Sequence, residues 1–275
     1  MSVRGKRKQE ADCEVSSVEN KSKYFGNVKD ASTSEPKSND VNAADSKISD
    51  ANVGKEADDN SDGNSVRLVG EFYNKPCTDL AQALLGKRVV RLVNGERLSG
   101  RIVETEAYLG LEDKAAHSYK GKKTDKNTAM FMTPGTSYVY NIYGVYCCFN
   151  ISSQGEGAAV LIRALEVIEG AEVMRKSRMA KTSKAMKDKD LTNGPSKLCQ
   201  ALQINKGLFN KVDLATSQEL WLEQDTGVEA SKVVRSPRIN IGYAEEWVDK
   251  HLRFYVLGSS FVSVRNKECE AKCPG

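Results

Sequence analysis

Two carboxylates lie two residues apart in an otherwise apolar segment. Glu104 and Glu106 are flanked by Val103 and Ala107, and the segment ends at Tyr108, before a long stretch without periodicity. Alternate residues of a strand face the same side, so both carboxylates are expected on one face. A carboxylate held in apolar surroundings can act as a general base. A solvated face with salt bridges is the alternative, but the apolar neighbours and the adjoining loop favour chemistry.

A tyrosine-rich segment follows about thirty residues later. Residues 138–150 hold four of the ten tyrosines in the chain: Tyr138, Tyr140, Tyr143 and Tyr146. Aromatic faces can stack on the bases of nucleic acids, and Asn150, which closes the segment, offers hydrogen bonds to a base edge. Together the two segments indicate a protein that holds one base and does chemistry beside it.

Two further polar residues have informative surroundings. Arg163 lies in an apolar strand pattern, residues 160–165, where a guanidinium needs a partner, and Glu106 would serve. His117 lies in the aperiodic stretch 109–133. A lone histidine is more often structural than catalytic, so the pattern alone gives it no role.

The elements around these residues are hairpins more often than strand–helix–strand units. Residues 78–85 predict a helix and residues 87–93 a strand, and Asn94-Gly95 predicts a tight turn into a return strand over residues 99–108. Residues 109–133 predict a long loop with one helical turn. A second hairpin is predicted over residues 136–152, with Tyr143-Gly144 near its tip.

The later part of the chain continues this mixed pattern. Residues 158–165 predict a strand, residues 166–189 a helix, and residues 195–202 a second helix. Further strands are predicted over residues 220–222, 233–241 and 252–264. Hairpins together with separate helices indicate a mixed class with a largely antiparallel sheet.

Composition changes near residue 65. Residues 1–65 contain no Leu or Trp and are rich in Ser, Asn, Asp and Lys, which predicts a disordered tail before one domain over residues 66–275. The tail holds 10 basic and 13 acidic residues and the whole chain 41 and 37, so residues 66–275 hold 31 and 24, a net charge of +7. A basic domain suits a polyanionic partner without being diagnostic of one.

The cysteines and the length of the apolar runs bear on the redox compartment, on metal binding and on membrane association. Seven cysteines, an odd number at irregular spacings, predict free thiols in a reducing compartment. Only two histidines are present, so no metal site is predicted, although Cys269 and Cys273 could bind a metal weakly. No apolar run approaches the length of a membrane span, so no membrane partner is expected. The basic cluster at residues 4–8 is either a nuclear address or a solvated charge run.

Seven segments, taken together and in order, resemble the alkyladenine (3-methyladenine) DNA glycosylase family. They are residues 101–110 (RIVETEAYLG), 115–118 (AAHS), 130–136 (MFMTPGT), 138–146 (YVYNIYGVY), 150–155 (NISSQG), 160–166 (VLIRALE) and 193–202 (NGPSKLCQAL). The resemblance extends over residues 67–264. It implies a single α+β domain with a curved antiparallel β-sheet, surrounding helices and a protruding β-hairpin, after the N-terminal tail.

The resemblance also implies catalytic roles. Glu106 would be the general base that deprotonates a water, and Arg163 and the main-chain carbonyl of Ile239 would hold that water. Tyr143 would enter the minor groove and fill the space left by an extruded nucleotide. No lysine is placed as a nucleophile, which implies a monofunctional hydrolase that leaves an abasic site and uses no cofactor or metal.

Binding roles follow in the same way. Tyr108, His117 and Tyr140 would form the walls around the base, the main-chain N–H of His117 would mark an adenine-type edge, and Asn150 would exclude guanine. The candidate DNA backbone contacts are Lys122, Thr124, Tyr146, Ser196 and Lys197. The implied partner is double-stranded DNA containing damaged purines, bound by a monomer in the nucleus, with an organelle as the alternative compartment.

Three departures from the family pattern bear on lesion range and affinity. Val145 stands where a bulkier Met is expected, Asn240 where a Gly is expected, and Lys122 and Lys126 where arginines are usual. Two other functions fit the sequence less well. A non-catalytic binder of damaged DNA needs no buried carboxylate near a polyanion, and a hydrolase of small nucleosides needs no wedge such as Tyr143.

Overall fold

The computed structural model describes residues 66–179 and 186–273, all of which belong to one compact unit. The predicted disordered tail over residues 1–65, including the basic cluster at residues 4–8, lies outside the described residues. The described part confirms the predicted α+β class.

A curved antiparallel sheet of eight strands forms the centre of this unit. The strands are β1 (Arg88–Val93), β2 (Glu96–Tyr108), β3 (Ser137–Ile142), β4 (Tyr146–Ser152), β5 (Ala159–Glu169), β6 (Leu220–Glu223), β7 (Val233–Ser236) and β8 (Arg253–Val256). Their order is β3-β4-β5-β2-β1-β6, and β8 pairs with both β2 and β7. The long strand β2 therefore has β5 along one edge, and β1 followed by β8 along the other.

Short helices surround the sheet. They are α1 (Gly70–Tyr73), α2 (Cys77–Ala83), α3 (Ala171–Met179), α4 (Asp188–Thr192), α5 (Pro195–Ala201), α6 (Lys206–Phe209) and α7 (Lys267–Glu270). The predicted long loop over residues 109–133 contains two short 3₁₀ turns, Tyr119–Gly121 and Thr128–Phe131. No helix of the described part is long and apolar enough to cross a membrane.

The two hairpins form as the turn chemistry predicts. Asn94 and Gly95 both have positive φ, 51° and 83°, as a tight turn between right-twisted strands requires. The β1–β2 register runs from Val93 opposite Glu96 to Arg88 opposite Arg101. The β3–β4 hairpin turns at Tyr143, with φ 50°, and Gly144, with φ 73°.

The helix predicted over residues 166–189 is wrong in its first turn. Strand β5 continues to Glu169, and α3 begins after Gly170, whose φ of +77° ends the strand. The carboxylate of Glu166 has a partner in the sheet, since it pairs with Arg101 of β2 at 2.8 Å. Residues 180–185 lie outside the described residues. Strands β7 and β8 are also shorter than predicted; Pro237, which lacks the N–H that a ladder needs, follows β7.

Both faces of the sheet centre are covered. Ile102 joins the main apolar cluster, which packs α2 and α5 against the central strands through residues such as Leu80 and Leu198. Its neighbour Val103 points to the other face and joins a second cluster with Tyr255. Each fully buried aliphatic side chain contributes about 1.5–3 kcal/mol. The segment that carries Glu104 and Glu106 is therefore enclosed by core packing.

Candidate active site

A cavity of about 310 Å³ opens where β3, β4 and β5 meet the 109–133 loop, the start of α5 and the segment after β7. Most of its lining is aromatic or aliphatic. The lining residues that carry polar groups are Tyr108, His117, Tyr138, Tyr140, Cys148, Asn150, Arg163, Ser196, Asn240 and Tyr243. Seven residues singled out from the sequence, each on a different segment, thus lie around one space: Tyr108, His117, Tyr140, Asn150, Arg163, Ser196 and Ile239.

Glu106 lies directly behind this wall. Its side chain is fully buried, and its carboxylate contacts three groups of residues that line the cavity. The hydroxyl of Tyr108 donates to Oε2 at 2.8 Å, the main-chain N–H of Ile239 donates to Oε1 at 2.8 Å, and Nη1 of Arg163 lies 3.2 Å from Oε1. We call Glu106, Arg163 and Ile239 the cavity floor.

The hydrogen-bond partners of Glu106 do not use all the acceptor positions of its carboxylate. A carboxylate has about four acceptor positions, and within the described residues Glu106 accepts from three donors. One position, on the Oε2 side, is left to accept a proton from water. Burial raises the pKa of Tyr108, and the charge of Glu106 raises it further, so the phenol stays protonated and keeps donating.

Arg163 is shared between two carboxylates. Its Nε donates to Glu104 at 3.0 Å, while Nη1 faces Glu106. Burial alone would lower the pKa of the guanidinium, but the charges of Glu106 and Glu104 outweigh burial and raise it. Irregular pairing of β2 with β5 on both sides of Glu104 accompanies this arrangement. The two carboxylates face one arginine, as the spacing of two residues predicts.

Three aromatic rings form one wall. The centroids of His117 and Tyr140 are 4.7 Å apart at 76°, and those of Tyr138 and Tyr140 are 5.3 Å apart. Nδ1 of His117 lies 2.8 Å from the hydroxyl of Tyr138. The outer side of His117 is exposed. The pKa of the His117 imidazole is nevertheless lowered, mainly because the ring is packed and secondly because Lys122 is positively charged. The ring is therefore neutral near pH 7. Sequence analysis counted Tyr138 among the tyrosines but gave it no role.

Tyr108 has a cation behind it. The guanidinium of Arg238 lies 4.7 Å from the ring centroid of Tyr108 and forms a fully buried ion pair with Asp113. Asp113 also accepts from the N–H groups of Leu109 and Ala115, which shapes the start of the loop. Sequence analysis missed both charged residues because they are 125 positions apart. The clue in the sequence was Arg238 itself, next to Ile239.

Asn150 and Cys148 face the cavity from β4. The amide nitrogen of Asn150 donates to the main-chain carbonyl of Tyr138 at 3.0 Å, which fixes the direction of its side chain. Burial raises the pKa of the Cys148 thiol to about 11, so it is neutral at physiological pH. The main-chain carbonyl of His117 accepts from Nδ2 of Asn127.

The turn of the β3–β4 hairpin lies outside the cavity. The side chain of Tyr143 is 91% exposed and that of Val145 is 59% exposed. We call residues 143–145 the hairpin tip. The tip presents an aromatic ring and an aliphatic side chain to solvent, on a turn in which Tyr143 takes a positive φ.

The candidate backbone contacts form two groups. Lys122 and Thr124 lie on the 109–133 loop, where Asn127 accepts from the N–H of Thr124 and donates to the carbonyl of Lys122. At the start of α5, Ser196 lines the cavity and Nζ of Lys197 donates to Asn193 at 2.7 Å. The fifth candidate, Tyr146, is 42% exposed beside the hairpin tip.

Tyr243 is a further residue that sequence analysis missed. It lines the cavity and is nevertheless 69% exposed, so it lies at the opening. Asn240, which stands where the resemblance leads to a Gly, has a φ of 59° and also lines the cavity. Among the described residues, no group of three His, Cys, Asp or Glu side chains could hold a metal ion.

Comparisons with known proteins agree on one family. Residues 71–260 match the family described as methylpurine-DNA glycosylase (MPG). The chain is similar to the DNA-3-methyladenine glycosylase of Homo sapiens, with 54% identity over 215 residues, covering 76% of this chain and 72% of that protein. The corresponding protein of Mus musculus is 53% identical over 213 residues, covering 75% of this chain and 64% of that protein.

A bacterial relative shows how far the similarity extends. The putative 3-methyladenine DNA glycosylase of Alkaliphilus oremlandii is 46% identical over 203 residues, covering 72% of this chain and 99% of that protein. The region matched by the family model, residues 71–260, includes all the residues that line the cavity.

Proposed function

The chain belongs to the methylpurine-DNA glycosylase family, and from this premise we propose that it is a monofunctional DNA glycosylase of base excision repair. Its substrates are alkylated or deaminated purines in duplex DNA: 3-methyladenine, 7-methylguanine, hypoxanthine and ethenoadenine. The product is an abasic site in an uncut backbone. The reaction is hydrolysis of an N-glycosidic bond, which the cavity floor is suited to promote.

The hydrolysis uses Glu106 as the general base. Its free acceptor position takes a proton from a water molecule, whose oxygen attacks C1′ of the nucleotide while the bond from C1′ to the base nitrogen breaks. The bonding electron pair leaves with the base. Arg163 and the main chain at Ile239, which flank Glu106, hold the water. No lysine lines the cavity within the described residues, which supports hydrolysis over attack by an amine.

The aromatic wall explains why alkylated purines are suitable substrates. Alkylation at N3 or N7 makes the base a cation, which is attracted to the faces of Tyr108 and Tyr140 and leaves readily as a neutral molecule. Neutral lesions have neither advantage, so departure of the base from C1′ has to be assisted. The fixed amide of Asn150 would clash with the 2-amino group of guanine bases. Normal guanine is neutral and is excluded by this clash, whereas the positive charge of 7-methylguanine offsets it through attraction to the aromatic faces and through easier departure of the base.

The size of the cavity supports extrusion of a single nucleotide. At about 310 Å³ it is at the small end of ligand pockets, large enough for one flat ring system. A base in a duplex must leave the stack to reach it, at a cost of a few kcal/mol that is least for damaged pairs. Tyr143 at the hairpin tip fills the gap and offsets part of this cost. The backbone contacts at Lys122, Thr124, Tyr146, Ser196 and Lys197 hold position without reading sequence.

One observation carries the proposal: a fully buried carboxylate with one acceptor position left, directly behind an aromatic cavity. The test is release of free base from duplexes with a single hypoxanthine or 7-methylguanine, with the Glu106→Gln variant alongside. Loss of a general base lowers rates about 10²- to 10⁴-fold. We expect that loss, with binding to abasic-site DNA retained.

Two outcomes would contradict the proposal. Unchanged release by the Glu106→Gln variant would exclude Glu106 as the base. Tight lesion binding without release of any base by the wild type would favour the second candidate, a non-catalytic damaged-DNA binder on the same scaffold. The buried carboxylate argues against that candidate, since binding a polyanion gains nothing from it.

The wider setting of the enzyme is part of the proposal. We assign glycosylase activity to residues 66–275, acting as a monomer on double-stranded DNA. The eukaryotic relatives support the nucleus as its compartment, with an organelle as the alternative.

A further inference from the structure

Glu104 takes no part in the proposed chemistry, although it is as deeply buried as Glu106. Its carboxylate accepts four hydrogen bonds. The donors are Nε of Arg163 at 3.0 Å, Nη1 of Arg253 at 2.9 Å, the main-chain N–H of Ser263 at 2.7 Å and the hydroxyl of Ser263 at 2.9 Å. Three of these bonds end on Oε1, and the N–H of Ser263 bonds Oε2.

The two glutamates differ in where their second oxygen lies. The Oε2 of Glu106 accepts from Tyr108, which lines the cavity, whereas the Oε2 of Glu104 accepts from the main-chain N–H of Ser263, which does not line it. Glu104 is also one step further from the cavity, since Arg163 lies between the two carboxylates. The spacing in the sequence suggests two equivalent carboxylates, but only one is placed to take a proton.

Glu104 reaches the cavity floor by two routes. The first is Arg163, whose guanidinium is held at Nε by Glu104 and presents Nη1 to Glu106. The second is Arg253, which bonds Glu104 through Nη1 and the main-chain carbonyl of Pro237 through Nε at 2.9 Å. Pro237 is two residues before Ile239, whose N–H bonds Glu106. Both groups that flank Glu106 are thus tied back to Glu104.

The charges in this cluster balance. Two carboxylates, Glu104 and Glu106, face two guanidiniums, Arg163 and Arg253. Without the negative charge of Glu104, the cluster would hold an excess positive charge in a buried place, and Arg163 would lose the partner that fixes its orientation. An arginine fixed at one end only can rotate away from the position at which it holds water.

From this arrangement we propose that Glu104 is the positioning residue of the water site. It orients Arg163 directly and the Ile239 segment through Arg253, without touching substrate or water. The inference rests on the proposed function, in which Glu106 and Arg163 activate and hold the water. Misplacement of a reacting group by about 1 Å can lower a rate about 10²-fold, which sets the expected size of the effect.

The test uses the full-length Glu104→Gln variant. Glutamine keeps the shape, but its NH₂ group cannot accept from Ser263 or from an arginine. We expect the single-turnover rate of base release to fall about 10²-fold. Affinity for a duplex with a tetrahydrofuran abasic analogue should stay within about threefold, since phosphate and wedge contacts are untouched.

The matched control is Glu223→Gln. Glu223 is also a buried glutamate that pairs with an arginine, Arg97, but it lies on β6, separated from β2 by β1. It should lower the melting temperature as Glu104→Gln does and leave the rate of base release unchanged. An equal loss of rate in both variants would attribute the effect to general destabilisation and overturn the inference.

A double-mutant cycle with Arg163→Lys tests the route of action. If Glu104 acts largely through Arg163, Glu104→Gln should slow the Arg163→Lys enzyme by much less than 10²-fold. A fully additive loss would contradict positioning through Arg163. A wild-type rate in the Glu104→Gln variant would overturn this inference alone, because wild-type enzyme that releases base leaves the proposed function intact. Failure of the wild type to release base would overturn both.

Discussion

The cavity floor and the hairpin tip are built in opposite ways. At the floor, Glu106 and Arg163 are almost fully buried and their polar atoms are bonded to neighbours from distant parts of the chain. At the tip, Tyr143 is 91% exposed. The difference matches the two tasks that we propose for these regions. Proton transfer needs atoms at fixed distances, whereas insertion into DNA needs an apolar ring that gains by becoming buried in the complex.

The tip also holds a backbone conformation that its sequence disfavours. A positive φ in a non-glycine residue costs roughly 1–2 kcal/mol, and Tyr143 has a φ of 50°. Gly144, next in the turn, takes a positive φ without this cost. The strained residue is thus the one proposed to enter the duplex, and the turn directs its side chain away from the sheet. At the tip, the positive φ of Tyr143 lowers the stability of the fold. At the floor, the charged groups are buried, so each needs its ion-pair partner.

The largest expected effect would show how far the enclosed cavity, unlike the exposed tip, depends on buried charge. Asp113→Asn removes the charge that neutralises Arg238 behind Tyr108, where both side chains have no exposed surface. Breaking one partner of a buried pair destabilises by about 3–5 kcal/mol. We expect the free energy of unfolding, measured by urea denaturation, to fall by about 3 kcal/mol. Val145→Ala at the hairpin tip should change it by less than about 0.5 kcal/mol. Similar losses at the two positions would remove the contrast.

A smaller effect, on rate alone, is expected at the tip. Tyr143→Ser removes the wedge, so flipping from a duplex loses roughly 1.4 kcal/mol, equivalent to a tenfold slower excision. Excision from a single strand, where no stack has to be opened, should change little. The ratio of duplex to single-strand rates measures the wedge. Tyr143→Phe keeps the ring and should keep the ratio; equal slowing on both substrates would assign Tyr143 to the chemistry instead.

The smallest expected effect is on the pH dependence of stability, and it concerns His117 in the aromatic wall of the cavity. The pKa of His117 is lowered in the folded state from its usual 6.5, mainly by packing and then by Lys122. The unfolded chain therefore binds this proton at a higher pH than the folded one. The contribution of neutral His117 is complete above about pH 6.5 and is lost as the pH falls below it.

The pH dependence of urea denaturation checks this sign. His117→Gln should lose less stability than the wild type between about pH 7.5 and about pH 5.5. A wild-type slope in the His117→Gln variant would contradict the prediction.

Local signals in the sequence predicted the tip better than the floor. Asn94-Gly95 and Gly144 mark turns because the backbone preferences of these residues act locally. The Asp113–Arg238 pair and the bonds of Arg253 to Glu104 join residues 125 and 149 positions apart. No periodicity carries that information. Family resemblance brought Glu106, Arg163 and Ile239 together in advance, but it gave Glu104 and Tyr138 no role.

The prediction of a helix at Glu166, where the structure has strand β5, failed for the same reason: the deciding contacts are distant in the sequence. Glu166 and Glu169 lie in β5, where their main chain pairs with β2 and their carboxylates bond arginines of the same strand β2. Arg101 bonds Glu166, and Arg97 bonds Glu169 at 2.9 Å. Partners contributed by another strand override local propensity, and a single sequence does not show them.

Synthesis of the chain gives the bonds of Glu104 a further meaning. Glu104, Glu106 and His117 emerge from the ribosome well before Arg253 and Ser263, which supply three of the four donors to Glu104. A nascent chain, growing at about 5–20 residues per second, thus carries Glu104 for roughly 7 to 32 seconds before these donors emerge. The active site closes among the last parts of the domain to emerge. A chain that terminates before Arg253 would retain the proposed base but lack the donors that hold its neighbour.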